Sequence, residues 1–166
     1  LDALQAAGMN RLSLGVQAAQ DPLLERIAEM KDGRASGAYN IRKDSGCADR
    51  VNTENIQIIT KEDKPGIDIR IAPGCKESCH IPVIITESGI QETVYNDFYI
   101  GEGADVTIIA GCGIHNCGVQ DSEHDGVHTF YVGKNAKVKY VEKHYGEGDG
   151  KGERGLNPLT YVCLLY

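Results

Sequence analysis

A short phrase occurs twice in the second half of the sequence, as "YIGEGADVTI" at residues 99–108 and "YVGKNAKVKY" at residues 131–140. Both copies place an aromatic and an aliphatic residue before the pattern Gly-x-x-Ala-x-Val. A strand–turn–strand unit that recurs in this way favours a chain coiled and stacked on itself, because each copy buries its apolar face against a neighbouring copy. The recurrence therefore predicts a stacked β-solenoid.

From residue 33 onward, short β-rich runs alternate with turn signals such as "DKPG", "APG" and "GEGAD". In "IDIRIA", Ile67, Ile69 and Ile71 alternate with polar residues, the pattern of a strand with one buried face. Because no helical pattern separates the runs, we expect an all-β sandwich, barrel or solenoid, and the repeated phrase favours the solenoid. The runs read "NIQIIT", "IDIRIA", "HIPVIIT", "ETVYNDFYI", "DVTIIAG", "VHTFYV", "AKVKYVE" and "LTYVCLL".

Residues 1–32 have a different pattern. "LDALQAAG" spaces its apolar residues as a helix does, and "NRLSLGVQ" alternates as a strand does. "DPLLERIAEM" then begins with an N-cap aspartate and a proline at the first helical position. We expect a helix–strand–helix leader over residues 1–32 that cannot bury both of its faces alone, followed by a β domain over residues 33–166.

The charge and cysteine content restrict the class of protein. A formal net charge of −7 argues against nucleic acid as a main partner, since phosphate binding needs a basic surface. No apolar run approaches the ~20 residues of a membrane span, and the first residues do not form a secretory signal. We therefore expect a cytoplasmic protein whose six cysteines are reduced thiols, serving as metal ligands or as small buried apolar residues.

The segment "AGCGIHNCGVQDSEHDGVH" at residues 110–128 concentrates metal-ligand residue types. Thiolates and imidazoles suit zinc or iron–sulfur ligation, and residues two apart on a strand share a face, so His115 and Cys117 can point together. The spacing is not that of a zinc finger. We predict Cys112, His115 and Cys117 as candidate cluster ligands; buried thiols and a turn histidine are the alternative.

A second and weaker set of candidate metal ligands lies in "GCKESCH" at residues 74–80. Its donors are Cys75, Cys79 and His80, which could join the first set if the coils stack suitably. 

Two other motifs favour structural roles. In "SEHDGVH", the Asp125-Gly126 pair predicts a turn, which would leave His124 and His128 at its rim. "YGEGDGKGERG" formally fits a dinucleotide fingerprint, but Pro158 prevents the helix that such a site requires, so a flexible glycine turn is expected.

Long segments of the chain resemble short SufB/SufD-type iron–sulfur cluster assembly proteins. The resemblance runs from about Leu23 to Pro158 and is carried by "GAYNIR", "TKEDKPGIDIRIAPG", "VYNDFYIGEGADVTIIAGCGIHNCG" and "SEHDGVHTFYVGKNAKVKYVEKHYGEGDGKGER". It implies a right-handed parallel β-helix that acts without enzymatic activity as a scaffold or carrier for a transient iron–sulfur cluster. It also implies partnership with a SufC-type ATPase and with another SufB/SufD subunit.

The same resemblance favours one set of candidate ligands over the other. "AGCGIHNCG" resembles the short SufB-like group, whereas Cys75, Cys79 and His80 lie where the family more often has other residues.

The resemblance also leads to an expectation about the C-terminal part. The further β-helix coils expected after "LNP" do not follow, so we expect a C-terminally truncated SufB-like domain whose open end oligomerises or aggregates.

The leader resembles a different family. "LDALQAAGMNRLSLGVQAAQDPLLERI" is similar to a stretch of HemN-type radical SAM coproporphyrinogen oxidases. The three-cysteine cluster motif of that family is absent from residues 1–32, which contain no cysteine. We therefore interpret the leader as an inert part of a chimeric coding sequence. The alternative functions are a fragment of a radical SAM oxidoreductase of porphyrin synthesis, or a metal-free structural β-solenoid.

Overall fold

The computed structural model describes residues 37–165. This part of the chain consists of strands and turns and contains no helix. In chain order, its strands are β1 (Ala38–Lys43), β2 (Gly46–Val51), β3 (Ile56–Thr60), β4 (Gly66–Ile71), β5 (Ser78–Ile85), β6 (Gln91–Ile100), β7 (Asp105–His115), β8 (Ser122–Val132), β9 (Lys137–Glu147), β10 (Arg154–Leu156) and β11 (Leu159–Leu164). All eight β-rich runs recognised in the sequence form strands.

The strands form two sheets that the chain visits alternately. One sheet has the order β2-β1-β5-β7-β9, and the other has the order β10-β8-β6-β4-β3, with β11 also pairing with β8. Strands of successive coils are parallel neighbours. The domain is therefore a parallel β-solenoid of about three turns, which confirms the predicted fold class.

The repeated phrase lies where successive coils superpose. Residues 99–108 and 131–140 each span the turn between one sheet and the other, from β6 to β7 and from β8 to β9. Gln91 pairs with Glu123 and Asp105 with Lys137, which is an offset of 32 residues in both sheets. Each residue in this part of the solenoid is thus stacked on the residue 32 positions later.

The first coil departs from the parallel pattern. β1 and β2 form an antiparallel hairpin at the edge of one sheet, and β3 and β4 form another at the edge of the other sheet. Asp44 and Ser45 both have positive φ angles, of 44° and 65°, as expected for a two-residue hairpin turn. Sequence patterns alone identified neither β1 nor β2. The sequence of β2, "GCADRV", has little apolar alternation.

The core lies between the two sheets and follows the predicted alternation. Ile67, Ile69 and Ile71 are only 7%, 0% and 4% exposed. Phe98 of β6 stacks on Phe130 of β8, with ring centroids 4.3 Å apart and planes inclined by 2°. These side chains belong to one apolar cluster that joins successive coils.

The turn predicted at Asp125-Gly126 is wrong, because β8 runs straight through this pair. His124 and His128 are 5% and 4% exposed, so they are interior residues rather than rim residues. A Cβ on Gly126 would lie 2.7 Å from Nε2 of His128. The glycine therefore provides space for a buried imidazole and does not mark a chain reversal.

The predicted helix–strand–helix leader over residues 1–32 lies outside the described residues. Between residues 37 and 165, no helix has the length and apolar character needed to cross a bilayer.

Candidate functional site

The end of β7 brings two predicted ligands together at the surface. Cys117 Sγ lies 3.0 Å from Nε2 of His115, and the other ring nitrogen, Nδ1, lies 3.1 Å from Oε1 of Glu147. The side chains of His115 and Glu147 are 48% and 54% exposed, and Cys117 is also exposed. The result is an accessible row of a thiol, an imidazole and a carboxylate in contact.

The stacking of the solenoid explains why Glu147 takes part. His115 is the last residue of β7 and Glu147 is the last residue of β9, and the two are directly paired in the sheet. A carboxylate on the second nitrogen fixes the orientation of an imidazole, an arrangement that is common behind metal-bound histidines. Glu147 was not among the residues predicted from the sequence.

Asn116 holds the backbone between the two donors. Its side chain is fully buried, accepts a hydrogen bond from the Gly118 amide at 2.9 Å, and donates one to the Gln120 carbonyl at 2.8 Å. The Asn116 amide also donates to the Glu147 carbonyl at 3.0 Å. His115 at the end of β7 and Cys117 in the loop that follows are therefore held in place by a buried residue between them.

The glycine-rich segment supports this loop from the next coil. The Gly150 and Gly152 amides donate to the carbonyls of Asn116 and Gly118, at 3.2 Å each. A Cβ on either glycine would collide with the underlying backbone, so the close stacking requires glycine. Residues 148–153 thus lie outside the strands, as expected for a glycine turn, and are hydrogen-bonded to the site.

Arg154 closes this support. Its guanidinium donates hydrogen bonds to backbone carbonyls around it, including those of Glu147 at 2.7 Å, Asn116 at 2.7 Å and Gly148 at 2.7 Å. Carbonyl oxygens facing a cation cannot also cradle a phosphate, because a phosphate site needs backbone N–H donors.

Cys112 lies apart from the exposed His115–Cys117 pair. It is 1% exposed and packs with Val83, Ile85 and Ile114. Burial raises the pKa of its thiol far above the ordinary value, and the negative charges of nearby carboxylates act in the same direction. Metal binding requires the thiolate, so Cys112 would have to lose its proton inside the core before it could act as a ligand.

Cys75, Cys79 and His80 are also buried, at 4%, 0% and 1% exposure. Burial, together with the neighbouring Cys75, raises the pKa of Cys79 to about 12. The register of the sheet places Cys79 beside Ile108 and Cys112 beside Val83. The two predicted sets of donors are therefore not brought together.

A first ionic group is centred on the partly buried Glu92 of β6, whose side chain is 9% exposed. Arg42 forms two hydrogen bonds to its carboxylate, at 2.7 and 3.1 Å, and His124 Nδ1 lies 2.8 Å from Oε1. Burial alone would raise the pKa of Glu92, but the hydrogen bonds from His124 and Arg42 and the charge of Arg42 outweigh it, so the pKa falls to about 2.

A second such group surrounds Glu142 on β9. Its Oε1 lies 3.2 Å from Nε2 of His144 and 3.5 Å from Nε2 of His128. Burial again opposes ionisation, but the interactions with the two imidazoles prevail and lower the pKa of Glu142 to about 2. The solenoid thus contains two partly buried carboxylates whose specific partners keep them ionised at neutral pH.

Within residues 37–165, no group of three or more histidine, cysteine or acidic side chains is arranged to hold a metal ion. The His115–Cys117 pair supplies two donors, and the Glu147 carboxylate contacts the imidazole on its other nitrogen. Such a pair could hold a metal ion or cluster only if other molecules supply the remaining ligands.

Comparison of the chain with protein-family models, with curated proteins and with solved structures gives no match.

The burial of the thiols predicts two classes of reactivity in the described part of the chain. We expect the exposed Cys47, Cys117 and Cys163 to react at once with a thiol reagent, since only accessible thiolates react readily. The buried cysteines should react after unfolding. Mass spectrometry of the protein alkylated before and after denaturation would identify each class; early labelling of Cys112 would contradict the expected burial.

Proposed function

We propose that this chain is a non-enzymatic scaffold that carries iron, or an iron–sulfur cluster assembled from it, as cargo at the Cys117–His115 pair. The contact of 3.0 Å between an exposed thiol and an exposed imidazole is the observation that carries the proposal. A soft sulfur donor beside a nitrogen donor is a combination that iron–sulfur and zinc centres use. The resemblance to SufB/SufD proteins adds the choice of iron.

The incomplete ligand set is consistent with transfer rather than permanent storage. Two protein donors leave coordination positions for sulfide, a small thiol or a second protein. Glu147 supports the imidazole from its outer side, and loss of such a partner typically weakens metal binding 10–100-fold.

The proposal includes a SufC-type ATPase and a second SufB/SufD subunit as partners. The exposed Leu159 and Tyr161 on β11 support the latter, because within residues 37–165 they form an apolar surface that another chain could cover.

Anaerobic reconstitution with ferrous iron and sulfide tests the proposal. We expect the wild-type chain to bind iron and to show thiolate-to-iron charge-transfer absorption, and Cys117→Ser to lose it. Glu147→Gln should retain the colour but bind iron about 10–100-fold more weakly. The matched control is Cys163→Ser, which removes another exposed thiol and should leave binding unchanged.

The opposite results are equally informative. If Cys117→Ser binds as much iron as wild type, the exposed pair is not the site. If Cys112→Ser alone abolishes the colour, the cargo is held in the core and the proposal of a surface site is wrong. A wild-type chain that binds no iron would favour the metal-free structural β-solenoid.

A further inference from the structure

A cleft of about 540 Å³ lies away from the His115–Cys117 pair, between the two antiparallel hairpins of the first coil. Its volume is within the range of ordinary ligand sites, about 300–1,000 Å³. Four cationic side chains line it, with one carboxylate, that of Glu92. The cationic residues are Arg42, Arg50, Lys61 and Lys64.

This concentration of positive charge is unexpected in a chain with a formal net charge of −7. Two of the cations are already neutralised: Arg42 pairs with Glu92, and Lys61 pairs with Asp68 and Asp97. These ion pairs fix the walls of the cleft. They leave Arg50 and Lys64 as the charges available to a ligand.

Arg50 is positioned but not neutralised. Its Nε donates to Oδ1 of Asn40 at 2.8 Å, and one terminal nitrogen donates to the Ile58 carbonyl at 3.4 Å. Lys64 places its ammonium 4.7 Å above the ring of Tyr95. Among the described residues, neither cation forms an ion pair with a carboxylate. Neutral partners therefore orient both cations without neutralising their charge.

We infer that this cleft binds a small, multiply charged anion, no larger than a nucleoside diphosphate, between Arg50 and Lys64. A guanidinium and an ammonium on opposite hairpins can each donate charge-assisted hydrogen bonds to phosphate or carboxylate oxygens. The cleft also contains the exposed thiol of Cys47, which a bound anion would cover. The inference is independent of iron binding at Cys117.

Isothermal titration calorimetry at low ionic strength, with pyrophosphate, ADP and citrate as separate probes, tests the site. We expect saturable binding of at least one probe, and a Kd raised about tenfold by Lys64→Gln and about a hundredfold by Arg50→Gln/Lys64→Gln. The matched control is Lys134→Gln/Lys137→Gln, which removes two exposed lysines outside the cleft. Binding of pyrophosphate and ADP but not of citrate would identify a phosphate ligand, and binding of citrate alone would identify a polycarboxylate ligand.

A second measurement covers the case in which Arg50→Gln disturbs its hairpin. In the wild-type chain, a saturating probe should slow alkylation of Cys47 several-fold and leave the exposed Cys163 unaffected. The inference is overturned if none of the probes binds at concentrations up to about 10 mM. It is also overturned if the control and the cleft variants lose the same affinity. Iron reconstitution of the cleft variants should match wild type, which separates this site from the proposed function.

Discussion

Replacing Phe98 by alanine is expected to lower the free energy of unfolding by about 3–5 kcal/mol. Phe98 is fully buried, stacks on Phe130 at 4.3 Å and meets Tyr140 edge-on at 6.4 Å. Its removal would leave a cavity between two coils, where both sheets contribute to the packing. Urea unfolding of the full chain, monitored by circular dichroism, measures the decrease in the free energy of unfolding.

The neighbouring residue provides a matched control. Tyr99 stacks on Tyr131 at 5.0 Å, but on the outer face of the same two strands, and it is 40% exposed. Tyr99→Ala removes a similar ring from a similar pair and should cost about 1 kcal/mol. Equal losses in the two variants would show that the interior stack is not what holds the coils together.

The two aromatic pairs also show what the sequence already contained. The phrases at residues 99–108 and 131–140 predicted stacked coils, and their separation equals the offset of 32 residues that the sheets adopt. Applying this offset to Phe98 gives Phe130, and applying it to Tyr99 gives Tyr131. The fold was predictable because strand alternation and a repeat act together.

The candidate site was only partly predictable. His115 and Cys117 were found because residues two apart share a strand face. Glu147 was missed, although the same offset leads from His115 to it. Burial of Cys112, Cys79 and Cys75 could not be distinguished from ligation by residue type, because both roles use cysteine. The cleft was invisible because its charges lie on hairpins that converge only in the folded chain.

The remaining prediction concerns the pH dependence of stability and follows from the two partly buried carboxylates. Burial opposes the ionisation of Glu92 and of Glu142, but their partners hold both pKa values at about 2, below the ordinary value of 4.5. The unfolded chain therefore binds protons at a pH where the folded chain does not. The stabilisation contributed by these carboxylates should be fully present above about pH 5 and should be lost as the pH decreases through 4.5 towards 2. With solvent screening taken into account, the loss should be on the order of 2–3 kcal/mol for each carboxylate.

Urea unfolding measured between about pH 7 and pH 3 tests this coupling. Glu142→Gln should be less stable than wild type at pH 7 and should depend less on pH, since it removes one proton-binding group from the comparison. The exposed Glu102→Gln is the matched control and should follow the wild-type curve. A Glu142→Gln curve parallel to that of wild type would mean that His128 and His144 do not stabilise the carboxylate. The polar interior would then be tolerated by the solenoid rather than contributing to its stability.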